Sequence, residues 1–320
     1  MASEFDLIAR YFTRPTPSAR LGVGDDAALI ALQAGFELAV SADMLVAGTH
    51  FLPDADPALL GHKTLAVNLS DLAAMGARPR WALLSLALPE ADEAWLASFS
   101  QGFLALAAEH GVDLIGGDTT RGPLNLSVTI MGEVEADQAL RRDAAQVGDE
   151  IWVSGELGAA ALGLQHLLGE RQLAPAEAAA CLARLHRPVP RVALGRCLIG
   201  LAHACIDISD GLVADLGHIL ERSHVGAEIR LADLPLAAAV AGRLSELQAL
   251  RVALAGGDDY ELCFTAPAMR ADAIRAAAAE VGVPVARVGR ITAEAGLQLF
   301  DAEGRAMPLH ASGFDHFAGR

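Results

Sequence analysis

Residues 57–89 read PALLGHKTLAVNLSDLAAMGARPRWALLSLALP. Proline is tolerated in the first turn of a helix, because the N–H it lacks has no intrahelical partner there. From Pro57 a long helical run continues until Gly76 and Pro79 stop it. The next segment, RWALLSLALP, is a short, almost continuous apolar run and reads as a buried strand. A long helix feeding a buried strand predicts helices layered on a sheet, an α/β or α+β architecture.

The alternation extends in both directions. EFDLIARYF (4–12) predicts a short amphipathic helix with Phe5, Ile8, Ala9 and Phe12 on one face. AALIAL (27–32) and FELAVSAD (36–43) predict paired strands across a Gln-Ala-Gly turn, the second ending at Asp43. DEAWLASFSQGFLALAAEH (92–110) is a helix stopped by Gly111, and VDLIGGD and LNLSVTIMGEV are strands. The polar turn Gly148-Asp149-Glu150 precedes a new strand, Ile151–Ser154, which sets a domain boundary giving units 1–148 and 149–320. Beyond it come alanine-rich helices, ACIDISDGLVADLGHIL as strand, loop and helix, and the strands GAEIRL, YELCFTA, VARVGRI and GLQLF.

Bulk properties exclude several classes. The 320 residues are 53% hydrophobic and 20% charged, enough to bury a sizeable core. A formal charge of −16 argues against a nucleic-acid partner, because the phosphate backbone rewards Lys and Arg. The longest uncharged stretch, Ala94–Ala108, has fifteen residues. A bilayer-spanning helix needs about 20. The N-terminus carries acids early and lacks an apolar core, unlike a secretory signal. Cys181, Cys197, Cys205 and Cys263 have neither metal-ligand spacing nor the density of a disulfide framework, so they read as reduced thiols. The expected location is the cytoplasm. Lys63, the one lysine, does not sit in a Walker A loop.

The aspartates carry the chemistry. Asp26 follows the glycine turn GVGDD, Asp43 ends a predicted strand, and Asp118 follows LIGG. Asp207 and Asp210 bracket Ser209 in IDISDG, and Asp258 and Asp259 follow Gly256-Gly257. Each fits an ordinary turn or N-cap. Asp71 does not, because it lies inside an apolar helix, where a buried carboxylate needs a partner. Short acids at glycine-flanked loops are hard oxygen donors suited to Mg²⁺ or Mn²⁺, which bind one or two carboxylates plus substrate phosphates. Zinc would call for His or Cys clusters at ligand spacing, and EF-hand spacing is missing. Carboxylates beside an anion-cradling glycine turn make sense when cations sit between acid and phosphate.

LGVGDDAAL, VSADMLVAGTHF, HKTLAVNLSDLAAMGARP, LIGGDTTRG, IDISDGLVADLGHI and AGGDDYELCF, in this order, resemble the motifs of the thiamine-monophosphate kinase family. That family is part of the aminoimidazole ribonucleotide synthetase superfamily. The resemblance runs from EFDLIARYF to GFDHF. It implies two domains, an N-terminal α/β domain whose strands form a β-barrel across a homodimer and a C-terminal α+β domain closing over the nucleotide. The implied reaction takes ATP and thiamine monophosphate to ADP and thiamine diphosphate, with several Mg²⁺ ions and no catalytic base. By resemblance Asp26, Ser41, Ala42, Asp43, Asp71, Asp118, Asp207 and Asp210 hold the metals. Gly117, Asp118, Arg142 and Ser209 contact ATP, and His50, Asp258 and Ala311 contact thiamine monophosphate. Ala42 stands where the family often has Thr, so any metal contact there runs through its carbonyl. Asp258 stands where Glu is usual, and a Trp expected near the C-terminus is replaced in HASGF by Ala311, with Phe314 nearby. The alternative within the superfamily is an ATP-dependent enzyme with a different acceptor.

Overall fold

In the computed structural model, residues 4–243 and 245–307 are described. The chain divides into two compact units, Met1–Leu72 with Ala77–Asp137, and Ala73–Gly76 with Gln138–Arg320.

The first unit holds α1 (Glu4–Leu7), β1 (Phe36–Val46), α2 (Pro57–Ala74), β2 (Arg78–Leu88), α3 (Glu93–His110), β3 (Asp113–Arg121) and β4 (Asn125–Glu135). Its sheet runs β1-β4-β2-β3, antiparallel except for the parallel β2–β3 pair. The sheet is open, with β1 and β3 as its edges, so the described residues close no barrel by themselves. Leu65, Leu69 and Leu72 of α2, Phe99 and Phe103 of α3, and Leu126, Val128 and Ile130 of β4 are all fully buried. The helices approach closely because two glycines let them: a Cβ on Gly61 would lie 2.1 Å from the Phe99 carbonyl oxygen, and one on Gly102 1.9 Å from that of Ala58. Asp92 caps α3 by accepting from the Ala94 and Trp95 N–H groups, and Gly111 ends it with φ 65°. On the other sheet face Trp81, Ile115 and Met131 form a small cluster with Ala28, Ile30 and Leu38.

Two local expectations are corrected. AALIAL is not a strand. Gly24, at φ 121°, and the Asp25-Asp26 turn bend the chain, and only the bridge Leu21↔Leu29 remains. At the N-terminus the helix continues from α1 as a π-turn over Ile8–Phe12. A π-turn aligns residues five apart, so Leu7 and Phe12 are buried, while Phe5 is 78% exposed and Ala9 also faces water.

The second unit contains β5 (Glu150–Ser154), α4 (Ala159–Leu167), α5 (Pro175–His186), α6 (Val192–Cys197), β6 (Ala204–Ile208), α7 (Leu212–Ser223) and β7 (Gly226–Arg230). Then follow α8 (Ala238–Arg243), α9 (Glu246–Ala255), β8 (Glu261–Ala266), α10 (Ala271–Glu280), β9 (Val285–Thr292) and β10 (Gly296–Phe300). Its mixed sheet runs β10-β7-β9-β5-β8-β6, parallel only between β10 and β7. Ile151, Val153, Ile206 and Ile208 of the sheet bury against Leu216 and Ile219 of α7 and Leu254 of α9. On the opposite side Trp152 stacks on Phe264, with the Arg275 guanidinium 5.2 Å from the Trp152 ring. The four cysteines are free thiols, three of them buried.

Candidate active site

In the first unit the site grows from α2 lying on β1. Residues three apart on a helix share a face, as do residues two apart on a strand. Asn68 and Asp71 therefore meet Asp43 and Ser41. The Asn68 side-chain oxygen accepts from the Asp43 N–H at 3.0 Å, and its amide nitrogen donates to the Thr64 carbonyl at 3.0 Å. The Ser41 hydroxyl donates to the Asp71 carboxylate. This is the partner that a carboxylate inside an apolar helix requires. Asp43 is not a strand terminus, since β1 continues to Val46, and Asp118 likewise lies within β3. Ala42 points away from α2 and is exposed.

Across the sheet, a cleft of about 1020 Å³ is bounded by the Gly24-Asp25-Asp26 turn and by Gly116-Gly117-Asp118 of β3, with Ser85 and Thr129 also among its walls. Gly117 cannot carry a side chain, because a Cβ there would lie 1.8 Å from the Leu84 carbonyl oxygen. Asp26 and Asp118 thus share a cleft, and Asp43 and Asp71 share the helix-packed face. In register, Asp43 aligns through Val128 and Leu84 with Gly117, the neighbour of Asp118. Three strand spacings, about 14 Å, separate those two edges. His50 follows β1, where its Nδ1 accepts from the Val46 N–H at 3.0 Å, leaving Nε2 as the protonated nitrogen of a neutral ring.

In the second unit, buried Asp207 lies in β6, and Ser209 and Asp210 form the loop that follows. One oxygen of Asp215, in the first turn of α7, accepts from the Ser209 N–H at 3.0 Å and the Asp210 N–H at 3.1 Å. Burial lifts the Asp215 carboxyl to about 7, with the nearby Asp210 charge adding to the rise and the Asp210 and Ser209 N–H groups, then the Arg142 guanidinium, opposing it. Arg142 is itself exposed, and its carbonyl accepts from the Ser223 hydroxyl. The segment Gly256–Tyr260 runs beside this loop: the Asp258 N–H donates to the Ser209 carbonyl at 2.8 Å, and that of Tyr260 to the Ile208 carbonyl at 2.8 Å. Asp258 and Tyr260 take positive φ, 68° and 49°. Asp259 accepts from the Gly158 N–H with both oxygens at 3.0 Å, and burial pushes its carboxyl well above the usual range. Glu261 is fully buried and is held by Arg191 through two bonds and by the Ser154 hydroxyl at 2.6 Å.

Asn68, Asp215 and the Arg191–Glu261–Ser154 group are supports that sequence reasoning missed. Their only sequence signal is a polar residue among apolar neighbours. Ala311 and Phe314 lie outside the described residues. Among the described residues no three His, Cys, Asp or Glu side chains form a ready metal site.

Comparison with known proteins gives these features a family. Residues 24–134 match AIR synthase related protein, N-terminal domain, and residues 146–302 match its C-terminal domain. The thiamine-monophosphate kinase of Escherichia coli (strain K12) is 49% identical over 319 residues, 98% of each chain. The crystal structure of thiamine-monophosphate kinase from Stenotrophomonas maltophilia K279a superposes with a TM-score of 0.85 at 49% identity, covering 94% of this chain and 95% of that one. AaThiL complexed with AMPPCP and TMP superposes with a TM-score of 0.79 at 31% identity, covering 90% of this chain and 89% of that one. The chain belongs to the thiamine-monophosphate kinase family of AIR synthase related proteins.

Proposed function

We propose that this thiamine-phosphate kinase moves the γ-phosphoryl group of ATP in line onto the phosphate of thiamine monophosphate, with several Mg²⁺ ions, giving ADP and thiamine diphosphate. A phosphate monoester carries about −1.5 to −2 charge at pH 7, so the attacking oxygen is already ionised. No residue has to remove a proton. The difficulty is bringing one anion to another, and positioning with charge neutralisation supplies the catalysis. The observation that carries this reading is the cleft walled by Gly24-Asp25-Asp26 and Gly116-Gly117-Asp118. It pairs glycine backbone, which phosphate can approach, with carboxylates suited to hard cations.

The donor set fits Mg²⁺. Asp26, Ser41, the Ala42 carbonyl, Asp43, Asp71 and Asp118 offer oxygen only, as do Asp207 and Asp210. Among the described residues no three carboxylates are gathered in advance, so phosphate oxygens would complete the coordination, as is usual for this ion. When bound, the ions neutralise charge on the phosphates of both substrates. Asn68 fixes the Asp43 backbone, and Ser41 orients the Asp71 carboxylate. Gly117, Asp118, Arg142 and Ser209 contact ATP, and His50, Asp258 and Ala311 contact thiamine monophosphate.

A homodimer completes the arrangement. The eleven-residue strand β1 lies at an edge of its sheet, with Val40 56% and Met44 54% exposed, although Asn68 takes its Asp43 N–H. A long edge of this kind favours pairing with another chain. In this reading residues 1–148 serve as the metal- and ATP-binding, dimerising half and residues 149–320 as the α+β half. Among the described residues no helix is long and apolar enough to cross a membrane. The cytoplasm is the proposed location, where ATP is abundant and thiols stay reduced.

The test is to incubate the protein with ATP, Mg²⁺ and thiamine monophosphate and to look for thiamine diphosphate. ATP consumption without that product points to a different acceptor. Turnover surviving in EDTA, or at the normal rate in Asp71→Asn, refutes the metal assignment.

A further inference from the structure

We infer that Asp215 is a positioning residue: from inside the fold it sets the backbone of Ser209 and Asp210, and so their productive presentation to the nucleotide. The inference rests on the reading that Ser209 contacts ATP and Asp210 a metal ion. Asp215 itself is only 3% exposed.

The argument is one of backbone freedom. Ser209-Asp210-Gly211 leave β6 and must turn into α7 within three residues. Gly211 takes φ 107°, a conformation other residues resist, so the turn has a soft point. Two consecutive N–H groups, those of Ser209 and Asp210, converge on one Asp215 oxygen. Two donors on one acceptor fix the plane of both peptides. On the far side the Ser209 carbonyl accepts from the Asp258 N–H, and a Cβ on Gly257 would lie 2.5 Å from that same carbonyl oxygen. Ser209 is therefore clamped through its N–H by Asp215 and through its C=O by the segment proposed to contact thiamine monophosphate. The Asp215 N–H closes the turn by donating to the Gly211 carbonyl at 3.0 Å. Leaving two half-buried N–H groups without their acceptor is costly.

The test compares Asp215→Leu, which keeps the volume and removes the acceptor, with Asp215→Asn, which keeps one oxygen able to receive both N–H groups. In metal-free, nucleotide-free protein, exchange at the Ser209 and Asp210 amides is expected to rise at least about tenfold in Asp215→Leu and to recover in Asp215→Asn. With substrates, KM for ATP rises by about tenfold or more in Asp215→Leu while that for thiamine monophosphate changes less. Measured well below the melting transition, a purely structural role lowers stability and leaves both KM values alone. That result overturns the inference, as does wild-type exchange in Asp215→Leu. Should that variant not fold, the wild type decides: fast exchange at both amides refutes the clamp, and protection supports it. Ser209→Ala separates the two readings. If it leaves KM for ATP unchanged, the assignment of Ser209 fails; if it raises KM while Asp215→Leu does not, the positioning role fails.

Discussion

Replacing Arg191 by Met tests how the second unit holds the strand that follows Asp258. Glu261, at the start of β8, has a side chain 1% exposed, and that of Arg191 is 11% exposed. Arg191 binds both carboxylate oxygens, Nε to Oε2 at 2.6 Å and Nη2 to Oε1. Removing one member of a buried pair costs about 3–5 kcal/mol, because the remaining charge is stranded. Two features pull the value toward about 3 kcal/mol: the Ser154 hydroxyl still donates at 2.6 Å, and Arg184, 3.9 Å away and 38% exposed, can swing inward. The double variant Arg191→Met/Glu261→Leu removes both charges. It loses only about 1 kcal/mol, chiefly from the Ser154 hydroxyl left without its acceptor. Urea unfolding followed by circular dichroism measures both, provided the denaturant slope is unchanged. The single variant is therefore less stable than the double one. A loss below about 1 kcal/mol in Arg191→Met, the value of an exposed pair, refutes the reasoning.

Gly117→Ala forces a Cβ to within 1.8 Å of the Leu84 carbonyl at φ 148°, so β2 and β3 must separate. The expected cost is at least about 1–3 kcal/mol in thermal unfolding, together with loss of kinase activity. Cys181, Cys205 and Cys263 have thiols pushed up by burial, whereas Cys197 is half-buried. Iodoacetamide on the native protein is expected to label Cys197 first, and mass spectrometry finding Cys263 labelled earlier refutes this. Burial pulls the His110 imidazole below its ordinary 6.5, outweighing the opposing Glu109 charge, while His62 adds to the fall. The folded state therefore holds the neutral ring. Its contribution to stability is intact above about pH 6.5 and is lost as pH falls through the lower folded value. Melting curves of His110→Gln should decline less steeply than wild type on acidification, and identical slopes refute the assignment.

The helix and strand of residues 57–89 were legible because their signals are local: a proline start, an apolar run and a glycine stop. AALIAL shows the limit. Six apolar-leaning residues satisfy a strand pattern, but strand formation needs a partner edge, and the turn at Gly24 denies one. The N-terminal face failed for a different reason, since a spacing of five is invisible to a search at 3.6. At the candidate site, the acids that stand beside glycine could be picked out by type. Their supports could not. Glu261 and Ser154 lie 107 residues apart, and Asn68 and Asp43 25 apart, so nothing local links them. Asp215 passes for an ordinary residue of a helix's first turn until its oxygen is found on the preceding loop.

The two units use one device to prepare backbone for a ligand. In the first, Asn68 from α2 accepts from the N–H of Asp43; in the second, Asp215 from α7 accepts from the N–H groups of Ser209 and Asp210. In both, the acceptor comes from a helix and the held residue from strand or loop, so the packing of helix on sheet fixes the peptide planes. The chemical difference follows from surroundings. Asn68 carries no charge and sits beside two carboxylates, Asp43 and Asp71, where a third anion would add repulsion. Asp215 holds two N–H groups on one oxygen, a load that the carbonyl oxygen of an amide, with its two lone pairs, can also carry. Exchanging the types should therefore be asymmetric: Asp215→Asn is tolerated, and Asn68→Asp, which introduces an anion between Asp43 and Asp71, lowers stability more. Thermal unfolding of the two variants at neutral pH in the absence of Mg²⁺ measures the difference. If Asn68→Asp proves the more stable, the helix-borne acceptors do not set these backbones.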